Sequence, residues 1–350
     1  MGGPGSPLLA LVFVAGAAAT WLAGALLSKT TDALDTRFGL GEELGGLILL
    51  AVTGSLPEIA ITASAAISGH LDLAVGNLIG GVAIQTLVLV VLDAVSGPDR
   101  PLSFRVGSLI PVIEGLMVVV VLATALAGAA LPASANVGGA SPTSIAVVVF
   151  WLAGVWVVNR VRLTPAWDVH APEATPGRRH VREKHPAAPH PYAGASTAKV
   201  VVLFAAASLV TLGAGVALQV SGSALATNIG MQGAVFGATF LAAASALPEI
   251  ASGITAVKLG DLQLAVGDIL GGNSFQICLL LLADVLAGTP VIDAAHHSDV
   301  WLGGLGLLVT GIAAAAIIAR PRRTFFWLGV DSLAMVVIYA AGIALLPLIK

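Results

Sequence analysis

A five-residue motif ending in Pro-Glu occurs twice in this chain, each time inside a long apolar run. The first copy is Gly54-Ser-Leu-Pro-Glu58 and the second is Ser245-Ala-Leu-Pro-Glu249. An ionised carboxylate at the centre of a membrane helix costs about 2.5–3.5 kcal/mol on insertion scales, so such acids are kept where they have a partner or a function. We predict that Glu58 and Glu249 face each other and bind a cation.

The apolar runs identify an integral, all-α membrane protein. Hydrophobic residues make up 57% of the 350 residues and charged residues 10%, whereas soluble domains carry about 25% charged residues. A membrane helix needs about 20 predominantly apolar residues, and ten segments meet this requirement. They lie near residues 8–28, 39–67, 71–95, 106–130, 144–160, 199–220, 232–258, 262–287, 299–319 and 325–348. We keep the first as a span, because no basic residue precedes it and it is long enough to cross.

Basic residues fall on one side of these ten segments. When alternate connections are assigned to opposite sides, every Lys and Arg except Lys350 lies on the same side. Basic residues are enriched in cytoplasmic loops, so this side is predicted to be cytoplasmic, with both termini outside a plasma (inner) membrane. We see no basic patch with interleaved aromatic residues, so we expect membrane lipid and inorganic cations, not nucleic acid, as partners.

The two motifs belong to an internal repeat with an offset of 191 residues. The same offset aligns Leu73-Ala-Val-Gly76 with Leu264-Ala-Val-Gly267, and it pairs Gln85 with Gln276 and Asp93 with Asp284. Five spans per half force the second copy to enter the membrane from the opposite face. We therefore predict two inverted five-helix repeats, 1–160 and 199–350, an arrangement typical of secondary transporters with a site at the midplane. A purely structural duplication is the alternative.

Residues 161–198 form the long polar connection between the halves. This segment is rich in proline and contains His170, His180, His185 and His190. We interpret it as a cytoplasmic linker with little packed structure. Its histidines are expected to be solvated, and the alternative is a regulatory role through metal binding or pH sensing.

Each proline should open its helix beside the adjacent glutamate. Proline lacks an N–H and crowds the carbonyl four residues earlier, so breaks are expected at Pro57 and Pro248. Irregular backbone at membrane depth is tolerated where it is buried in protein or lines a wet cavity. The oxygens placed near the two acids are the carbonyls of Thr53 and Ala244 and the hydroxyls of Ser55 and Ser245.

The third and eighth predicted spans supply the rest of the candidate site. Glycines four residues apart, such as Gly76 and Gly80, share a helix face and allow close packing. Gln85 and Gln276 reach the membrane centre, as ligands or as interhelical hydrogen-bonding groups. Calcium takes six to eight oxygen ligands, and two carboxylates match the charge of one divalent ion or two protons. A buried carboxylate that loses its cation tends to take a proton, which is the basis of antiport.

Three further polar residues are candidate accessory groups. Asp268 stands where the first repeat has Asn77, and either residue would border the site. Asp268 would shuttle protons or, alternatively, bond to helix backbone. Glu114 in the fourth span would belong to a proton path or pair with a hydroxyl.

At these residues the chain resembles the cation/calcium exchanger superfamily, whose signature is a pair of inverted repeats with a Pro-Glu helix and a Gly-Asn/Asp helix. The resemblance implies alternating access, with the second, third, seventh and eighth spans forming the site and the first and sixth spans sliding across this core. It also implies metal ligands at Glu58 and Glu249 and backbone or hydroxyl ligands at Gly54, Ser55, Ser245 and Ala246. Gly81 and Gly272 replace the serines of the family motif, and Gln85 and Gln276 look more like the calcium/proton branch.

The sequence therefore favours a cation antiporter that exchanges Ca2+ for protons, with sodium-coupled exchange as the alternative. Functions from other classes are a cation channel and a non-transporting membrane scaffold. We expect no enzymatic activity and no cofactor, because we find no nucleotide-binding loop, nucleophile elbow or zinc-ligand spacing.

Overall fold

The computed structural model describes residues 5–38, 52–132, 136–163, 175–176, 192 and 194–349. Helices form most of this part of the chain, and we number them α1 to α10. The first five are α1 (Ser6–Phe38), α2 (52–54 and Leu56–Ser68), α3 (Leu71–Ser96), α4 (Ile110–Gly128) and α5 (Pro142–Leu163). The second five are α6 (Thr197–Ile229), α7 (Gly233–Ser245 and Leu247–Lys258), α8 (Leu262–Ala287), α9 (His297–Ala319) and α10 (Val330–Leu345).

These helices make the chain a multi-pass membrane protein. Among the described residues, eight helices are long and apolar enough to cross a membrane, and the two parts of α7 form a further, bent candidate span. The 13 residues of Leu56–Ser68 are too few to cross alone, and the residues before them, 39–51, lie outside the described ranges. The count of ten spans, the inversion of the repeats and the outside position of the termini stay predictions.

Short elements complete the described chain. The strands are β1 (Val106–Gly107), β2 (Thr175–Pro176), β3 (Thr324–Phe325) and β4 (Leu328–Gly329), with β1 parallel to β2 and β3 antiparallel to β4. A helical turn covers Leu102–Arg105, and 3-10 turns cover Val291–Ala294 and Leu346–Leu348. The β1–β2 pair joins the predicted linker 161–198 to the start of α4, while its four histidines lie outside the described residues.

α1 and α6 are longer than their apolar runs predicted. Each has 33 residues, or about 50 Å at 1.5 Å per residue, and therefore exceeds the ~30 Å hydrocarbon layer unless it tilts. Capping fixes the ends of α6. The Ser196 side chain accepts a hydrogen bond from the Lys199 backbone, and Gly230 closes the other end with φ of 69°, a conformation that glycine adopts at little cost.

The helix breaks expected at the two prolines are present. Ser55 forms a turn before Pro57, and Ala246 separates the parts of α7, which are bent by 41° before Pro248. The sequence did not predict two π-helical turns, Gly76–Gly80 in α3 and Gly237–Leu241 in α7. Such turns interrupt the regular α-helical hydrogen bonds and are frequent at functional sites.

Asp93 and Asp284 connect the ends of helices in the two halves. Asp93 accepts hydrogen bonds from the backbone of Leu102 and Gly329 and from the Ser332 hydroxyl, at 2.6–2.7 Å. Asp284 accepts bonds from the backbone of Ser141 at 2.8 Å and Val291 at 2.6 Å. Both acids are buried, at 2% and 0% exposure. The sequence places these acids near span ends, and the structure shows that they tie α3 to α10 and α8 to α5.

Candidate ion-binding site

The two Pro-Glu motifs lie at the breaks of α2 and α7. Pro57 and Pro248 each stand in the first turn of the helical segment that follows the break, where their missing N–H groups cost least. Glu58 and Glu249 follow in the same turn. Because the first backbone N–H groups of a helix carry partial positive charge, these segments favour negative charge at the two glutamates.

Glu58 is almost fully enclosed, with 2% of its surface exposed. Gln85 Nε2 on α3 donates to Glu58 Oε1 at 3.2 Å, and the Ser245 hydroxyl on α7 lies close to the carboxylate. The second carboxylate oxygen, Oε2, is buried without a hydrogen-bond partner. A buried acceptor without a partner is costly, so Glu58 has one oxygen free for a ligand.

Glu249 stands at the edge of a cavity and is partly buried. Its Oε2 atom is buried without a hydrogen-bond partner, and its carboxyl group is close enough to that of Glu58 for their charges to interact. Two neighbouring carboxylates repel each other when both are ionised, and a cation or proton relieves this repulsion. The structure thus places the two predicted acids in one neighbourhood.

The ligands beyond these acids would have to be neutral oxygens. In the described ranges, no group of three or more His, Cys, Asp or Glu side chains is placed to hold one metal ion. Calcium takes carbonyl, amide, hydroxyl and water oxygens together with carboxylates. A cation shared by Glu58 and Glu249 would therefore draw its other ligands from the helix breaks, the glutamines and water.

A cavity of about 190 Å³ leads to this point from one side of the molecule. Thr53, Gly54 and Glu249 line its inner end, and Asp261 and Arg162 line its outer part. Arg162 and Asp261 lie in the connections that the basic residues predict to be cytoplasmic. Glu58 is not among the described lining residues, so Glu249 is the more accessible of the two acids.

The opposite side of the site is closed. An apolar cluster of buried residues, including Ile61, Leu218 and Phe236, joins α2, α6 and α7. Phe13 on α1 extends it through an edge-to-face contact with Phe236, with ring centroids 5.6 Å apart. A polar contact adds to the closure, since the Ser64 hydroxyl on α2 lies 2.7 Å from Gln219 Oε1 on α6. Apolar and polar contacts among α1, α2, α6 and α7 therefore pack this side of the site.

Gln276 does not repeat the contact that Gln85 makes. Its Nε2 atom on α8 donates to the carbonyl oxygens of Asn77 and Leu78, at 2.9 and 3.1 Å. These carbonyls belong to the π-helical turn of α3, where the backbone pattern changes. Asn77 is fully buried, and its side-chain amide has no hydrogen-bond partner. In this conformation Gln276 stabilises α3, and Gln85 contacts the acid.

The other predicted ligands occupy different surroundings. Thr53 and Gly54 line the cavity, whereas Ser55 is buried at 3% exposure. Ser245 is fully buried, and its hydroxyl donates to the Ala242 carbonyl at 3.2 Å. The Ala244 carbonyl, which Pro248 was expected to free, accepts a hydrogen bond from the Thr20 hydroxyl of α1 at 3.5 Å.

Thr20 was missed by the sequence reasoning. The repeat offset pairs it with Thr211 on α6, which lines the cavity and whose buried hydroxyl has no hydrogen-bond partner. Extending the repeat alignment to the first and sixth spans would have found this pair. These two threonines place one hydroxyl from each long helix near the helix breaks.

The accessory acids Asp268 and Glu114 lie along the same cavity. The Ser252 hydroxyl donates to Asp268 Oδ2 at 2.6 Å. Arg162 Nη2 lies 3.6 Å from Glu114 Oε1. Sequence reasoning used Arg162 for topology alone, although its position at the end of the fifth apolar run was a signal for a partner acid. Both accessory acids thus line the same cavity as Glu249.

Sequence comparison relates the chain to known proteins over most of its length. The sequence profile described as "Sodium/calcium exchanger protein" matches residues 8–160 and 199–346. The chain is also 26% identical over 253 residues to the "Putative antiporter CaxA" of Alkalimonas amylolytica. This alignment covers 71% of the chain and 72% of that protein.

Solved structures share the fold at low sequence identity. The crystal structure of the H+/Ca2+ exchanger CAX superimposes with a TM-score of 0.65 at 13% identity, covering 97% of this chain and 81% of that one. The sodium-calcium exchanger NCX_Mj, soaked with Na+ and Sr2+, gives a TM-score of 0.60 at 16% identity, covering 97% and 99% of the two chains. At these identities the likeness establishes a common fold.

Proposed function

Because the chain belongs to the sodium/calcium exchanger protein family and is thus a cation antiporter, we propose that it exchanges Ca2+ for protons at a site built from Glu58 and Glu249. One observation carries this proposal. Each glutamate follows a helix break inside the protein, and each has a buried carboxylate oxygen without a hydrogen-bond partner. Two such oxygens near each other suit one divalent cation, or one proton on each acid, in alternation.

The neutral groups around the acids favour proton coupling over sodium coupling. Gln85 donates its amide N–H to Glu58, and the amide nitrogen of Gln276 donates to backbone carbonyls of α3. Gly54 and Ala246 supply no hydroxyl, and the described residues place no third carboxylate beside both glutamates. Protons need only the two carboxylates, whereas sodium ions would lack these hydroxyls and a third central acid as ligands, so the site favours protons as the exchanged ion.

The contacts between helices support two inverted repeats that work by alternating access. α1 packs against the second part of α7, and α6 packs against α2. α3 contacts the first part of α7, whereas α8 contacts α2. The first and third helices of each half thus pack on the broken helix of the other half. In this arrangement α1 and α6, which also pack against each other, move together and open the site to one side at a time.

The membrane location and the orientation of the chain follow from the distribution of its basic residues. We propose the plasma (inner) membrane, with the cavity mouth at the cytoplasm and the termini outside. The cations are cargo, and the chain needs no cofactor and catalyses no covalent step. Residues 161–198 would modulate transport without taking part in it.

Sodium-coupled exchange remains the second candidate, because Ser-Leu-Pro precedes Glu58 and the fold occurs in exchangers of both couplings. Purified protein in liposomes, with Ca2+ flux measured under imposed H+, Na+ or K+ gradients, tests both. We expect Ca2+ uptake driven by a proton gradient and unaffected by replacing Na+ with K+. Uptake driven by Na+ alone would replace our proposal with the second candidate, and flux that ignores all counter-ions would indicate a channel.

A further inference from the structure

The cavity carries a second group of charged residues between Glu249 and its mouth. Glu114 projects from α4, Asp268 from α8 and Arg162 from the end of α5, and all three line the cavity. Asp261 lies nearer the mouth, where it accepts a hydrogen bond from the Leu264 backbone at 3.1 Å. The described cavity wall thus has four acids, counting Glu249, and a single arginine. This imbalance attracts cations.

The contact between Glu114 and Arg162 is weak for a buried ion pair. The two charged atoms are 3.6 Å apart, beyond the 2.7–3.2 Å of an N–H···O hydrogen bond. Glu114 is 6% exposed, yet its Oε2 atom has no hydrogen-bond partner, and neither has the buried Nε atom of Arg162. A structural ion pair is stable when its remaining polar atoms are satisfied. This pair leaves both groups available to other ligands.

Glycine brings the Glu114 carboxylate next to Asp268. A Cβ atom built on Gly267 would lie 2.8 Å from Glu114 Oε2, so the carboxylate occupies space that any other residue would fill. Asp268 is the next residue, and Ser252 holds its Oδ2 atom at 2.6 Å. The carboxylates from α4 and α8 therefore approach the same part of the cavity, one of them with an unpartnered oxygen.

The internal repeat does not account for this cluster. The 191-residue offset pairs Glu114 with Leu305, Asp268 with Asn77 and Ser252 with Ile61. The pairing is in register there, since it also places Gly115 on Gly306. Glu58 and Glu249 occur in both halves, as a site used from both sides requires. The charged cluster combines Glu114 from the first half with Asp268 from the second, and neither has an acidic counterpart at the 191-residue offset.

We propose that Glu114 and Asp268 form a second, transient site for a hydrated divalent cation in the cavity, with Arg162 as a counter-charge that the cation displaces. The cation keeps most of its water, because two carboxylates supply few of the six to eight oxygens that calcium takes. When it arrives, Arg162 leaves Glu114 and turns toward the cavity mouth. The site concentrates the cation beside Glu249 and returns to the ion pair once the cation has moved on.

This inference rests on the proposed function for its role in transport, but binding itself is measurable without transport. In E58Q/E249Q the midplane site lacks both carboxylates. We expect this purified double variant to bind Ca2+ weakly in equilibrium dialysis, and adding E114Q or D268N to weaken binding by about tenfold. Adding D99N, the same change of charge on an exposed loop, should leave the affinity unchanged. The proposal is overturned if the double variant binds no Ca2+ or if E114Q and D268N behave like D99N.

The direction in which each variant changes Ca2+ uptake distinguishes a cation site from a structural ion pair. If Arg162 competes with the cation, R162Q should lower the Ca2+ concentration for half-maximal uptake from the cavity side by about fivefold, whereas E114Q should raise it by a similar factor. If the pair is structural, both variants should lose thermal stability and change transport in the same direction. Thermal unfolding in detergent is measured for each variant.

The two proposals fail in different ways. Wild-type protein that binds Ca2+ through Glu114 and Asp268 but exchanges none would overturn the proposed function and leave the second site in place. Exchange that needs Glu58 and Glu249 but ignores E114Q, D268N and R162Q would leave the function and overturn the second site.

Discussion

Gly24 on α1 lies directly against the ring of Pro248 on α7. A Cβ atom built on Gly24 would stand 2.8 Å from the proline Cγ atom, closer than side chains approach. The repeat offset pairs Gly24 with Gly215 on α6, where a Cβ atom would stand 2.9 Å from the Pro57 carbonyl oxygen. Each long helix therefore crosses the broken helix of the other half at a glycine, next to the residue that precedes a glutamate.

This contact predicts that Gly24→Ala slows exchange and lowers stability. The added methyl group must push α1 away from Pro248, and overpacking of this kind costs about 1–3 kcal/mol. Gly215→Ala should act in the same way from the other half. Ca2+ uptake by reconstituted protein and thermal unfolding in detergent measure the two effects.

Gly213→Ala is the matched control for these variants. Gly213 also lies inside α6, but nothing stands within 4 Å of its added Cβ atom. Alanine in a helix is favoured over glycine by about 0.5–1 kcal/mol, so this variant should be as stable as the wild type or slightly more so, with unchanged exchange. Equal behaviour of Gly24→Ala and Gly213→Ala would show that the close crossing has no role.

Removing the side-chain amide should mainly lower stability at Gln276 and mainly weaken Ca2+ binding at Gln85. Gln276→Leu leaves the carbonyls of Asn77 and Leu78 without their donor, so we expect a loss of about 1–3 kcal/mol of stability. Gln85→Leu removes the donor to Glu58, and we expect weaker Ca2+ binding with a smaller change in stability. Calorimetric Ca2+ titration and thermal unfolding should separate the variants, and identical profiles would contradict the asymmetry seen here.

Asp93 and Asp284 should be important for stability and not for ion selectivity. Asn in place of Asp93 keeps the size but replaces an acceptor oxygen with a donor, next to N–H groups that need an acceptor. Because hydrogen bonds to charged groups contribute about 1.5–3 kcal/mol, D93N and D284N should each lower the unfolding temperature. Folded protein of either variant should keep the counter-ion preference of the wild type, and a changed preference would place these acids on the ion path.

The linker prediction can be tested by deletion. Removing residues 165–195 and joining the ends with a flexible Gly/Ser segment should leave Ca2+ exchange in place, because the described site residues all lie in the long helices or at their breaks. A changed dependence on cytoplasmic conditions would indicate regulation. Loss of exchange in a deletion protein that folds and inserts normally would contradict the assignment of this segment as a linker.

The sequence was sufficient to predict the elements that a repeat or a charge makes visible. Pro57 and Pro248 predicted the helix breaks, and the deep acids Glu58 and Glu249 indicated where two helices meet. Gln85 was predicted to reach this depth, and it contacts Glu58. These features follow from local chemistry, such as a missing N–H or a carboxylate in an apolar run, and local chemistry can be read along the chain.

The remaining features depend on which conformation the helices adopt together. The repeat suggests that Gln85 and Gln276 are equivalent, yet one contacts an acid and the other the backbone. Arg162 at the end of α5 contacts Glu114 on α4. The sequence pattern of these two apolar runs does not indicate that the two residues meet. No periodicity along the chain encodes which face of α4 meets the end of α5.

We propose that Glu58 and Glu249 share one ion, and single substitutions of these acids provide a direct test. Proton-driven uptake of labelled Ca2+ is measured in liposomes containing E58Q, E249Q or wild-type protein, with matched amounts of folded protein and D99N as the charge control. We expect each glutamine variant to abolish uptake, because either one leaves a single carboxylate for a divalent ion, and we expect D99N to behave like the wild type. Ca2+ uptake at the wild-type rate by E58Q or by E249Q would contradict the sharing of one ion by the two glutamates.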